Sequence, residues 1–178
     1  MSLACKTEDV SNQSLLSAVT MDSPIGDLVV VASERSLRGV LWGDDDKEWK
    51  RAAIDRKTVT FENSTFLKQT ISQLTEYFTG DRQYFDLPVE PMGTEFQRMV
   101  WNSLTTIEYG STSSYSQQSN DLGRASAVRA IASANGRNPI SIVIPCHRVI
   151  AASGGLGGFA GGLAAKRWLL SHEQSVKG

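Results

Sequence analysis

Ser116-Gln117-Gln118-Ser119-Asn120-Asp121-Leu122-Gly123, followed by Arg124-Ala125-Ser126-Ala127-Val128-Arg129-Ala130-Ile131-Ala132-Ser133-Ala134-Asn135-Gly136, reads as two short helices around a tight turn. The first helix, over residues 116–122, stops at Gly123. The second, over about residues 125–135, closes at Gly136. Ala127, Ala130, Ile131 and Ala134 recur at i, i+3, i+4 and i+7, which predicts that they form the buried face of the second helix. Two such helices joined through glycine make the pattern of a helix-turn-helix, a pattern many plain helical hairpins share. Arg129 and Ser133 fall on the face opposite the alanines, where an arginine on its own reads equally well as a solvated side chain.

On either side of this unit the second half of the chain reads as helical. Gly93-Thr94 open a helix whose buried face is Phe96, Met99, Val100 and Leu104. Residues 142–144 (Ile-Val-Ile) predict a short apolar strand or extended segment, residues 154–162 a glycine-rich loop, and residues 163–173 a closing helix. The first half has a different pattern. Residues 18–21, 28–32 and 37–42 predict a meander of strands, with a turn at Ser23-Pro24-Ile25-Gly26. Residues 44–50 form a charged loop or short helix. Ser64 then caps a helix carrying Leu67, Ile71, Leu74 and Phe78, which Gly80 stops. Residues 81–92, with Pro88 and Pro91, read as a strand running into a linker. The expectation is an α+β chain with a polar tail over 1–16, an α/β domain over 17–88 and a helical domain over 93–175.

Composition sets the outer limits. With 40% hydrophobic and 21% charged residues the 178-residue chain fits a globular protein large enough for one sizeable domain or two small ones. No apolar run approaches the roughly 20 residues that cross a bilayer, and residues 1–13 lack the apolar core of a signal peptide. Cys5 and Cys146 stand too far apart in sequence and context to suggest a disulfide framework, so the expected compartment is a reducing cytoplasm. Residues 1–90 carry 10 Lys and Arg against 15 Asp and Glu (net -5), and residues 91–178 carry 8 against 4 (net +4). The second half therefore suits an anionic partner such as nucleic acid, with a charge modest for that role.

The segment Ile144-Pro145-Cys146-His147-Arg148-Val149-Ile150 bears the chemistry. A thiol attacks only when its pKa falls or a base takes its proton, and His147 could be that base, through a bridging water. Neighbours in an extended chain point to opposite sides, so direct contact is not implied. Glu173 in the last helix is a candidate to orient the imidazole. Taken alone, the segment also fits a buried structural cysteine behind an apolar strand. A metal site would need Cys5 and His172 as well, at spacings that match no zinc pattern.

Asn138-Pro139 with Ile144-Pro145-Cys146-His147-Arg148-Val149 closely resembles the active-site signature of the O6-alkylguanine-DNA alkyltransferases. Gly93-Thr94-Glu95-Phe96-Gln97, Val100-Trp101, Ser114-Tyr115, residues 127–129, residues 158–162 and Trp168-Leu169-Leu170-Ser171-His172-Glu173 follow in that family's order and spacing. The resemblance covers about residues 17–175, strongly after Gly93 and loosely before it. It implies a small ribonuclease-H-like α/β domain followed by a helical, winged-helix-like domain with a helix-turn-helix. It also implies direct-reversal repair, in which Cys146 irreversibly takes an alkyl group from O6-alkylguanine in double-stranded DNA, with O4-alkylthymine a further candidate lesion. The second helix of the motif would enter the minor groove with Ala127, Ala130, Ser133 and Ala134 close to it, and Arg129 would replace the flipped nucleotide in the stack.

The resemblance assigns roles to single residues. His147, oriented by Glu173, removes the thiol proton; Tyr115 assists flipping and donates to the leaving purine; Asn138 ties the helix-turn-helix to the active segment. Val149, Phe159, Ala160, Ser141 and Asn135 would line the pocket, with the carbonyls of Cys146 and Val149 accepting from the guanine amine and the Ala160 N–H approaching O6. Some relatives carry a hydroxyl residue at Ala160, a proline at Ser141 and an apolar residue at Asn135, differences that bear on which alkyl groups fit. The zinc ligands some relatives hold in the first domain are absent here, and neither metal nor cofactor is expected. The family's transcription-regulating members have a further N-terminal domain, which is not expected here. A monomer that meets DNA and no membrane is the expectation. Two competing readings differ in kind: a sensor of alkylated DNA, a class that lacks the reactive cysteine, and a Cys–His hydrolase, which would turn over and need neither Arg129 nor Tyr115.

Overall fold

A computed structural model of the chain describes residues 15–177, so Cys5 and the predicted polar tail as far as residue 14 lie outside the described residues. The predicted meander forms as β1 (Leu16–Met21), β2 (Leu28–Ala32) and β3 (Leu37–Leu41), paired antiparallel in sequence order. The charged stretch is helical, as α1 (Asp46–Ala52), because Asp45 caps it by accepting from the Glu48 N–H. A strand that sequence reading missed, β4 (Val59–Phe61), adds parallel to β1 and completes the order β3-β2-β1-β4. With three residues, two of them exposed, it offers no alternation to detect.

Helix α2 (Thr65–Thr79) packs on this sheet; Ser64 caps its start and Gly80, at φ 86°, turns it off. Residues 81–92 contradict expectation. No strand forms there, only a single bridge from Leu37 to Val89. Pro88 and Pro91 have no N–H to donate, so the contact with β3 is limited to Leu37 N–H on Pro88 O and Glu90 N–H on Leu37 O.

The second half begins with α3 (Glu95–Leu104), opened by a capping box between Thr94 and Gln97. Gly93 ahead of it lies so close to the Trp101 ring that an added Cβ would sit 2.5 Å away. Next come β5 (Ser113–Ser114), α4 (Tyr115–Asp121), α5 (Val128–Gly136), β6 (Val149–Ile150), which pairs parallel with β5, and α6 (Gly162–Lys177). Helices α4 and α5 are the predicted pair, with their turn at Gly123.

The phase of α5 differs from expectation. Residues 125–127 form a separate 3-10 turn, so the α-helix starts at Val128 and buries Ile131, Ala134 and Asn135. Ala130 is exposed beside Arg129 and Ser133, and Ala127 is half-buried. Ala134 is buried, as its spacing predicts and contrary to the place by the groove that the resemblance implied, and Trp101 Nε1–H donates to its carbonyl at 2.8 Å. Residues 142–144 do not form a strand: Ile142 has φ 73°, and single bridges flank the turn.

One apolar cluster runs through both halves, from Leu28, Val30 and Leu74 to Trp101, Ile140, Val149 and Leu169. The β3 edge of the sheet serves as a support. On β3 the Val40 N–H donates to Pro139 O at 2.9 Å and bridges to Ile140, so the sheet fixes the segment just ahead of Cys146. Among the described residues no helix is long and apolar enough to cross a membrane.

Candidate active site

Cys146 opens a 3-10 turn that runs to Arg148, directly after Pro145. The tight turn sends successive side chains in different directions, so Cys146 and His147 do not hydrogen-bond each other directly. Cys146 is 7% exposed. Asn138 holds it from below: Nδ2 donates to Ile144 O at 2.8 Å and to Cys146 Sγ at 3.2 Å, while Oδ1 accepts from the Ile140 N–H at 3.0 Å. Burial pushes the thiol pKa up, against the Asn138 hydrogen bond and the charges of Arg51 and Lys166, which favour the thiolate. The resting sulfur is a thiol that needs a base.

His147, the candidate base, follows it on the same turn. His147 is fully buried and its Nε2 lies 2.8 Å from Glu173 Oε1 on α6. Burial alone would raise the Glu173 pKa, but hydrogen bonds and charge from His147 and Arg148 hold it well below the usual carboxylate range. An ionised Glu173 only accepts, so Nε2 carries the proton and Nδ1 is the basic nitrogen. Nδ1 is buried with no hydrogen-bond partner, an uncommon state for a polar atom and one suited to an atom reserved for chemistry. Burial lowers the His147 pKa, Glu173 raising it in opposition, which keeps the imidazole neutral and able to accept.

The surroundings of Glu173 were not legible beforehand. Its two oxygens also accept from Arg148 Nε and Nη2, both at 2.9 Å, from Tyr77 Oη at 2.8 Å and from the Gly110 N–H at 3.0 Å. Arg148 in addition donates to Ile107 O at 2.6 Å. Lys166 is buried too, its Nζ donating to Val149 O at 2.6 Å and to Leu156 O, which ties the glycine-rich loop to the active segment. A signal for it existed, since Lys166 shares a helical stripe with Leu169 and Glu173 at i, i+3 and i+7. Arg51 of α1 reaches across to the Asn138 carbonyl while paired with Glu48 at 2.5 Å. No local pattern in the sequence distinguishes it from the other charges around it.

Tyr115, the first residue of α4, is half-buried; burial raises its pKa and the Cys146 charge adds to the rise. Its hydroxyl rests on Gly157, which has φ 66° and where a Cβ would come within 2.9 Å of the phenol oxygen, so both backbone and space require glycine. A cleft of about 370 Å³ opens beside it, bounded by Tyr115, Phe159 and Ala160 and, across the gap, by Lys47, Arg51 and Ala132.

Of the five residues expected to line the pocket, Phe159 and Ala160 border this cleft and three do not. Val149 is in the core, with its carbonyl engaged by Lys166. Ser141 is buried and accepts from Trp42 Nε1 at 3.0 Å; the Trp42 ring also meets Phe159 edge-on and crowds Gly161. Asn135 is buried between helices, its Nδ2 donating to Gln118 Oε1 at 2.7 Å. In each case a polar group left over after folding found a partner inside the protein. Arg129, Ala130 and Ser133 share the exposed face of α5, and Arg98, Arg124, Arg137 and Arg167 are exposed as well. Among the described residues no three His, Cys, Asp or Glu side chains gather where they could share a metal ion.

Two family models match the chain. The ribonuclease-like domain of 6-O-methylguanine DNA methyltransferase matches residues 17–91, and the DNA-binding domain of the same family matches residues 95–175. The methylated-DNA–protein-cysteine methyltransferase of Methanosarcina acetivorans is 41% identical over 154 residues, covering 86% of this chain and 96% of that protein. Its counterpart in Mycolicibacterium paratuberculosis is 43% identical, covering 87% and 90%. The crystal structure of Mycobacterium tuberculosis O6-methylguanine methyltransferase superposes with a TM-score of 0.79 at 38% identity, covering 90% of this chain and 93% of that one. A Mycobacterium tuberculosis OGT in complex with DNA gives 0.81 at 38% identity, covering 90% and 94%.

Proposed function

The chain belongs to the 6-O-methylguanine DNA methyltransferase family, and from that premise we propose that it repairs DNA by moving the alkyl group of O6-alkylguanine onto Cys146. The observation that carries this reading is the buried relay Glu173–His147 beside Cys146, with Nδ1 the unengaged basic atom.

DNA meets the exposed face of α5, where Arg129, Ala130 and Ser133 approach the minor groove and Arg129 fills the space of the flipped nucleotide. The extruded guanine enters beside Tyr115, Phe159 and Ala160, with O6 near the Ala160 N–H. The carbonyls of Cys146 and Val149 receive its exocyclic amine; the Val149 oxygen, already bonded to Lys166, has a second lone pair for this. A water passes the Cys146 proton to His147 Nδ1, and Glu173 stabilises the imidazolium that forms. Sulfur attacks the alkyl carbon in line, the S–C bond forms as the C–O6 bond breaks, and the departing guanine takes a proton from Tyr115. Burial and the charge on the neighbouring sulfur raise the Tyr115 pKa, and the second of these is relieved once the sulfur is alkylated, which eases the donation. Asn138 fixes the sulfur throughout. The thioether product has no route back to thiol in this site, so each molecule reacts once. It acts as a monomer and uses no cofactor.

Intact-protein mass spectrometry after incubation with a duplex containing O6-methylguanine tests this, with Cys146→Ser as control. One added methyl group per protein, absent from the control, is the expected result. Lesion binding without an adduct would overturn alkyl transfer in favour of a sensor, and repeated turnover without an adduct would favour a hydrolase.

A further inference from the structure

Helix α2 belongs to the ribonuclease-like half, yet its Tyr77 is fully buried and its hydroxyl donates to Glu173 Oε1 at 2.8 Å. The same oxygen receives His147 Nε2 at 2.8 Å and Arg148 Nη2 at 2.9 Å. Three donors therefore share one carboxylate oxygen, and each draws charge that the others would otherwise use. The tyrosine ring has little freedom. It packs against Phe78, Phe85 and His172 at 5.5 Å and Tyr109 at 6.0 Å, and its backbone carbonyl accepts from His172 Nε2 at 2.7 Å.

We propose that Tyr77 is a positioning residue for the alkyl-transfer reaction, through which the first domain sets the basicity and aim of His147 by way of Glu173. The inference rests on the reaction proposed above. With the hydroxyl present, Glu173 pulls less strongly on the His147 proton, so the imidazole stays neutral to lower pH and Nδ1 remains available. Without it, charge density returns to Oε1, the imidazolium is favoured, and the base is lost at a higher pH. Other charged or titratable groups around the pair and Tyr77 are Arg148 and Cys146 on the 3-10 turn, Tyr109 after α3, and Lys166 and His172 on α6. None of them is altered by Tyr77→Phe, which keeps the ring and every aromatic contact.

The experiment is the single-turnover rate of methyl transfer from an O6-methylguanine duplex to the full chain, measured against pH for the parent and Tyr77→Phe, with thermal melting of both. The acid limb of the variant is expected to move up by on the order of half a pH unit, which makes it about threefold slower below the midpoint. In a Glu173→Gln background the effect of the same substitution should shrink, because the oxygen that Tyr77 and His147 share then carries no ionic charge for the hydroxyl to draw on. A variant whose profile is lowered equally at every pH, or whose limb moves down, overturns the inference; so does a full-sized Tyr77→Phe effect in the Glu173→Gln background. A parent that takes up no methyl group would instead sink the underlying reaction.

Discussion

Replacing Glu173 with glutamine keeps shape and volume but removes a buried charge, and its cost follows from the contacts. The carboxylate accepts five hydrogen bonds: from Tyr77, His147 and Arg148 Nη2 on Oε1, and from Gly110 and Arg148 Nε on Oε2. A glutamine has one accepting oxygen. In its better orientation the amide nitrogen replaces Oε2 and faces the Gly110 N–H and the Arg148 Nε–H, donor against donor. Two buried donors are left without acceptors, at about 1–3 kcal/mol each. The Arg148 guanidinium, with its side chain 8% exposed, also loses its counter-charge. Breaking a buried pair from one side typically costs roughly 3–5 kcal/mol, in line with that sum. For a chain of this size the melting temperature should fall by about 6–20 °C. Urea denaturation at neutral pH, with midpoint and slope fitted together, gives the free energy directly. A loss below about 1 kcal/mol would refute the reasoning, since it would mean that the cluster is not stabilised as a buried, ionised unit. Arg148→Met added to the variant should recover part of the loss, because the orphaned cation is then gone.

Two further predictions are more local. Gly157→Ala sets a Cβ 2.9 Å from the Tyr115 hydroxyl at a backbone φ of 66°, so methyl transfer should slow at least tenfold while binding to undamaged DNA, measured by fluorescence anisotropy, is retained. Equal loss of both would place the defect elsewhere. Acid should weaken the fold in two stages: His147 titrates below its unfolded value of 6.5 and Glu173 below its unfolded value of 4.5, so the unfolded chain binds more protons in both ranges and stability falls as pH drops through each. His147→Gln should flatten the melting-temperature curve between about pH 7 and 5 and leave the lower stage, and a variant as steep as the parent in that window would exclude His147 as its source.

Sequence alone determined what depends on neighbours along the chain. The caps at Ser64 and Thr94, the stop at Gly80 and the three meander strands follow from local backbone preferences, and each appears within a residue or two of its expected place. The Pro145-Cys146-His147 run could be read because the chain holds only two cysteines and two histidines and one of each stands here, with Glu173 a candidate partner in the last helix. The tertiary structure decided the rest. The register of α5 turned on where the 3-10 turn handed over to the α-helix, which put Ala130 outward while Ile131 and Ala134 stayed on the buried face their spacing implied. The side chains of Asn135 and Ser141 and the Val149 carbonyl found partners in Gln118, Trp42 and Lys166, contacts that no local pattern announces. Tyr77 and Glu173 lie 96 positions apart, and Arg51 and Asn138 lie 87 apart. Periodicity within an element tells which face is buried, but a buried donor and its acceptor meet only when separate elements stack, and that geometry is set by the packing of the whole core.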